Sequence, residues 1–427
     1  MNLAAGLKDP EFPARFAQLK QDITAGREAE LTASWAILLD VLKQRTEQFI
    51  QQQQKFIPQV EFSELDSLSP EQLAEIKRKG TVVIHGVVSP DIALSWKEQL
   101  KTIVTENPDV QGVPEDDKQF FLLYWARPQV QARVHPNVLK VNKFLNNLYT
   151  TKTSERVISE PLAYADRFRI RKPNRPKWAF HPPHMDGGSI ERWEDAGFRR
   201  IYKDILAGRW QDHDAFDLDG RVDAQADLYD RPNQASVFRS FQGWLSMSDT
   251  GPGEGTLRVY PDVQLSNSYL ILRPFFTLVD PQGDVWDKAN WKFDVSTPEF
   301  PGIIPHADGT YHGPRLTDAS HPNLRTGSAM ISVPRVAPGD MVFWHSDLVH
   351  SVEEDHTGPG DSSVMYIAAV PSTPQNLAYI VRQRDAFVQG RTPPDYGKGG
   401  SEAWVKGVGT EADVVDPVSR RAMGFDL

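Results

Sequence analysis

His181-Pro182-Pro183-His184-Met185-Asp186-Gly187-Gly188 places an imidazole and a carboxylate two residues apart on what reads as extended backbone. In a strand, residues i and i+2 face the same side. His184 and Asp186 therefore aim at one point, Met185 faces away, and Gly187-Gly188 let the chain turn out of the strand. A neutral imidazole and a carboxylate, joined by a second histidine from elsewhere, make the ligand set of the 2-His-1-carboxylate triad, which holds Fe(II) and leaves positions open. Alone, the signal is weak, and the pair reads more readily as a hydrogen-bonded surface pair at a turn.

The second histidine is sought in Pro338-Gly339-Asp340-Met341-Val342-Phe343-Trp344-His345-Ser346-Asp347-Leu348-Val349-His350-Ser351-Val352. Pro338 to Asp340 is a turn, Met341 to Trp344 an apolar strand, and His350 arrives after a bend. His350 is the expected distal ligand and His345 its competitor. His181 is expected to be structural, and His306, His312 and His321 to be solvent or lid residues.

The composition of the 427 residues, 40% hydrophobic and 24% charged, is that of an ordinary globular protein. The chain has no cysteine, which excludes disulfides, zinc fingers, iron-sulfur clusters and thiol nucleophiles. A formal net charge of -10 argues against broad contact with nucleic acid. No apolar run is long enough to span a bilayer, and residues 1–10 do not look like a signal peptide, so no membrane partner and a cytoplasmic location are expected.

Residues 1–60 read as helical, with Glu28 to Phe56 as a packing or oligomer-contact helix. Ser69-Pro70-Glu71-Gln72 starts a helix that Gly80 ends, Thr81 to Val88 is a strand, and Pro90 to Leu100 a further helix, giving an α/β entry region over 61–160. Asn137 to Tyr149 is helical. From Leu162 the pattern changes to short strands: Ala163 to Arg171, Phe180 to Asp186, Ser236 to Ser248, Thr256 to Tyr260, Asp340 to Trp344 and Ser363 to Ala369. Such punctuation predicts a mainly β sandwich or jelly roll over 161–371. Residues 188–235 and 261–338 read as long insertions forming lids or walls. Residues 372–427 begin as a helix at Asn376 to Gln389 and end as coil, and the whole is expected to be one domain.

His184-x-Asp186 followed far downstream by Gly339-Asp340, an apolar strand and His350 resembles the non-haem Fe(II)/2-oxoglutarate-dependent dioxygenases, the phytanoyl-CoA hydroxylase-like branch especially. Gln242-Gly243-Trp244-Leu245-Ser246-Met247-Ser248-Asp249 and Gly255-Thr256-Leu257-Arg258-Val259-Tyr260-Pro261 resemble that branch's central hairpin. The resemblance spans roughly Ser69 to Pro371, and the tail Phe387 to Tyr396 is similar to that of a little-characterised bacterial and fungal group. It implies a double-stranded β-helix (jelly-roll, cupin-like) core flanked by helices. It also implies Fe(II) held by His184, Asp186 and His350, with 2-oxoglutarate and O2 as cosubstrates and hydroxylation of a small molecule as the outcome.

One feature departs from the family. Its members place an Arg or Lys shortly after the distal histidine to pair with the remote carboxylate of 2-oxoglutarate, yet Gly360-Asp361-Ser362-Ser363-Val364 holds no base. Ser363 offers a hydrogen bond only, so the guanidinium is expected from Arg258 first, or from the alternating Arg167, Arg169 and Arg171. Gln242 is a further site candidate, and the arginines favour an acidic substrate. Two competing readings remain: a zinc hydrolase using the same ligands, and a non-catalytic jelly-roll binding module.

Overall fold

Ser69 and Gln72 close a reciprocal capping box, the Gln72 amide N–H donating to the Ser69 hydroxyl and the Ser69 N–H to the Gln72 side chain. The helix Pro70–Lys79 follows and ends where Gly80 takes the left-handed conformation at φ 67°. That stop delivers the chain into the strand Thr81–His85. This part of the computed structural model, which describes residues 10–152, 160–231, 233–397 and 399–427, has the entry unit expected from the sequence.

Thr81–His85 lies in an eight-stranded sheet. From one edge the order is Gln59–Glu61, Thr81–His85, Met341–His345, Phe241–Ser246, Ser362–Tyr366, Phe168–Arg171, Phe120–Phe121 and Gly112–Val113. All neighbours are antiparallel except the first pair. Val82, Val83, Ile84, Met341, Val342 and Phe343 are completely buried, as near-continuous apolar runs in central strands require.

A second sheet has the order Ile331–Ser332, Leu257–Val259, His350–Val352. The His184 segment extends it: His184 and His350 exchange both backbone hydrogen bonds, at 2.9 and 3.0 Å, and the Val352 N–H reaches the His181 carbonyl. The expected strand Phe180 to Asp186 is thus reduced to a bridge around His184.

The described residues are a mixture of helix and sheet rather than mainly β, with more residues in helices than in strands. The difference comes largely from the N-terminal region and the two insertions. Val263–Leu272, within the second insertion, is a helix buried on nearly every side, Gln264 excepted. The Glu28–Gln52 helix packs against it, with Trp35 stacked on Tyr269 at 5.2 Å and on Phe276 at 4.6 Å. The first insertion is a packed wall in which Trp193, Tyr202 and Ile205 are buried. Among the described residues no helix is long and apolar enough to cross a membrane.

Candidate metal centre

Gly187 and Gly188, at φ 76° and 106°, turn the chain out of the short extended segment and leave His184 and Asp186 at its end. His350 stands directly across on the neighbouring strand. The Asp186 carboxylate lies between the two rings, its oxygens 3.5 Å from His184 Nε2 and 3.6 Å from His350 Nε2.

Both imidazoles are oriented in the same way. His184 Nδ1 donates to the Pro182 carbonyl at 2.6 Å and His350 Nδ1 to the Leu348 carbonyl at 2.9 Å. A carbonyl can only accept, so each Nδ1 carries a hydrogen and each ring turns its Nε2 toward Asp186. Desolvation, reinforced by the His350 ring, lowers the His184 pKa to about 4 and keeps it neutral. Desolvation opposes ionisation of Asp186, yet its carboxyl is held well below the usual range, the Arg239 guanidinium being a charge that favours the ionised form.

The three donor atoms lie within 4.8 Å of one another. Metal bonds of about 2.1 Å set at right angles put ligand atoms about 3 Å apart, so only a small contraction separates this arrangement from a facial triad. The donor set, two imidazole nitrogens and one carboxylate, fits a divalent first-row metal.

A cavity adjoins the triad between the two sheets. The large sheet lines it with Arg169, Gln242, Trp344 and Tyr366, the small sheet with Leu257, His350 and Val352. Four buried donors here have no protein partner: Arg169 Nε and Nη1, Gln242 Nε2 and Trp344 Nε1. Buried donors left unpaired cost about 1–3 kcal/mol each, so this cluster marks a place for ligand or water. Arg169 Nη2 meets the Gly255 carbonyl at 3.1 Å. His181 also lines the cavity, its Nδ1 accepting from Trp178 Nε1 at 2.8 Å, which leaves Nε2–H as a donor. It is therefore both held in place and available.

Arg258 and Ser363 are not brought to the site. In the small sheet, Leu257 faces the cavity and Arg258 points the other way, donating Nη2 to the carbonyls of Thr326, Gly327 and Met330. In the large sheet, Tyr366 lines the cavity, so Ser363 falls on the opposite face and donates to Asp361 at 2.6 Å. Arg171 is spent on the Glu353 and Glu354 carbonyls, and Arg167 pairs with Asp166 at the cavity edge.

His345 lies outside the triad. It is fully buried, stacked on Tyr149, with Nε2 donating to the Ala215 carbonyl and Nδ1 accepting from the Asp347 N–H. His321 is buried rather than solvent-facing, whereas His306 is exposed and stacks on half-buried His312 at 3.8 Å.

Sequence reasoning missed Arg239, which lines the cavity and makes no hydrogen bond or ion pair with described residues. Burial opposes its charge, but Asp186 and neighbouring groups raise its pKa. No motif surrounds Phe238-Arg239-Ser240, so nothing short of the fold locates it. Also missed was a buried network beneath the triad. Asp347 pairs with Arg192 at 2.9 Å and Arg221 at 2.6 Å, and Arg192 donates to the carbonyls of Asp186 and Gly187.

The Gig2-like family model matches residues 10–425. The uncharacterised protein YbiU of Escherichia coli K12 is 30% identical over 377 residues, which cover 84% of this chain and 83% of that protein. The crystal structure of GlcNAc Inducible Gene 2, GIG2 (DUF1479), from Candida albicans superposes with a TM-score of 0.85 at 32% identity, covering 98% of this chain and 91% of that one. A structure from Salmonella typhimurium LT2, named provisionally as an oxidoreductase, gives a TM-score of 0.81 at 26% identity over 97% of this chain and 99% of that one. With nearly its whole length matched by the family model, the chain belongs to the Gig2-like family.

Proposed function

We propose that this protein is an Fe(II)/2-oxoglutarate-dependent oxygenase of the phytanoyl-CoA hydroxylase-like type, with the two sheets forming a double-stranded β-helix. The observation that carries the reading is the convergence of His184 Nε2, His350 Nε2 and the Asp186 carboxylate, both rings being fixed through Nδ1. The provisional oxidoreductase name of the Salmonella relative agrees in reaction class.

Fe(II) bound here would supply O2 activation coupled to oxidative decarboxylation of 2-oxoglutarate, one oxygen atom going to succinate and the other to a substrate C–H bond. The chain's own work is positioning. His184, Asp186 and His350 would hold the metal. Arg169 and Arg239 supply the guanidinium absent after the distal histidine and receive the remote carboxylate. Gln242 and Trp344 offer further N–H donors within the same cavity. Arg192, through the Asp186 and Gly187 carbonyls, fixes the turn that aims the carboxylate.

The test is aerobic succinate formation from 2-oxoglutarate with added Fe(II). Wild-type protein is expected to turn over, with a loss of at least 100-fold in His184→Ala and Asp186→Ala. Equal turnover in all three proteins would overturn the proposal.

A further inference from the structure

A second cavity shares only His184 and Asp186 with the cavity between the sheets. Its walls are Phe180 and Pro182, the Met185-to-Gly188 turn, Arg231 from the first insertion and the His312-to-Arg315 segment of the second. Two insertions distant in sequence thus bring two guanidinium groups to one concavity beside the triad.

The charges around it do not cancel. Arg315 is exposed; its backbone N–H donates to the Gly302 carbonyl at 2.8 Å, while its guanidinium has no hydrogen-bond or ion-pair partner among the described residues. Arg231 donates to the Gln234 side chain, and Glu191, Asp186 and Asp227 are the carboxylates that act on it. Glu191 is already engaged by the Ser189 N–H at 2.7 Å, and Asp227 accepts the Arg231 backbone N–H at 2.8 Å. Of these, Asp186 alone lines the cavity, one carboxylate set against the two guanidinium groups of Arg231 and Arg315. His312, stacked on His306, is neutral at ordinary pH, desolvation and nearby arginines lowering its pKa to about 4. Phe180, 46% exposed, adds an apolar wall.

On the oxygenase reading above, the unpaired donors of Arg169 and Gln242 assign the inter-sheet cavity to 2-oxoglutarate, which leaves this second cavity for the molecule to be oxidised. We propose that it seats a primary substrate bearing a carboxylate or phosphate group, held by Arg315 and Arg231. Anchored there, an oxyanion leaves the adjoining carbon skeleton to run past Phe180 toward the triad. Planar guanidinium groups suit either oxyanion, because each can bind two oxygens at once.

The experiment is equilibrium dialysis of the full, metal-free chain against inorganic phosphate in one arm and benzoate in the other. Wild type, Arg315→Gln, Arg231→Gln and Arg239→Gln are compared. The expected result is saturable binding in at least one arm that survives Arg239→Gln and weakens at least tenfold in Arg315→Gln, with Arg231→Gln changing it in the same direction. The arm that saturates at the lower concentration identifies the head group. Absence of saturable binding in both arms would overturn the proposal, as would binding lost in Arg239→Gln and unchanged in Arg315→Gln. Because neither metal nor 2-oxoglutarate is present, failure here is distinct from failure of the oxygenase reading, which rests on succinate formation.

Discussion

At the scale of single residues, the decisive feature is where each histidine spends its ring hydrogen. His184 and His350 donate Nδ1–H to carbonyls two residues upstream and leave Nε2 free; His345 uses both nitrogens inside the protein. His345→Ala is therefore expected to lower stability by roughly 2–4 kcal/mol in urea unfolding through lost packing and an orphaned Asp347 N–H, while leaving metal stoichiometry unchanged. His345 and His321 also make stability depend on pH. Burial holds both pKa values near 3, against 6.5 when unfolded. The folded state keeps them neutral, so their contribution is complete above about pH 6.5 and lost as pH falls toward 3, by about 1.4 kcal/mol per group per pH unit. The urea midpoint of metal-free protein should fall steadily from pH 7 to pH 5, and less steeply in His345→Gln. Arg169→Gln should weaken 2-oxoglutarate binding by at least 30-fold in a calorimetric titration, whereas Arg258→Gln, which touches only carbonyls outside the cavity, should leave that affinity unchanged.

At the scale of elements, strand parity explains both what the sequence disclosed and what it hid. Alternation put His184 and Asp186 on one side, and the turn at Pro338 with the strand after it placed His350. The same alternation defeats Arg258 and Ser363, because a period of two says which residues share a face but not which face meets the cavity. Leu257 took the inward position in one strand and Tyr366 in the other. The capped helix Pro70–Lys79 was legible because its start and stop are local chemistry. Val263–Leu272 was not, since a helix buried nearly all round has no polar face to print a 3.6-residue period. The Asp347 network could not be read either, as its partners are 155 and 126 residues away. Asp347→Asn should cost about 3–5 kcal/mol by leaving Arg192 and Arg221 buried without their counter-charge. Through Arg192 it should also weaken metal affinity by about 10–100-fold, read by metal titration of the folded protein. A stability loss with unchanged metal affinity would remove the positioning role of Arg192.

At the scale of the whole molecule, two sheets bring their inner faces to a shared cavity, and the two insertions build a second cavity against the same triad. The helical N-terminal region and the helix of the second insertion pack into one continuous core with the central strands, from Phe16 to Val405. The catalytic account requires that this assembly holds a single metal ion at the point where the cavities meet. The most direct test is anaerobic Fe(II) binding by wild type and His350→Ala, with and without 2-oxoglutarate, followed by metal analysis and by the visible charge-transfer absorption of a chelated 2-oxo acid. One Fe(II) per chain is expected in wild type, with the absorption appearing only when 2-oxoglutarate is added, and both should be lost in His350→Ala. Wild-type protein that binds no Fe(II), or a His350→Ala variant that binds it and colours equally well, would contradict the account.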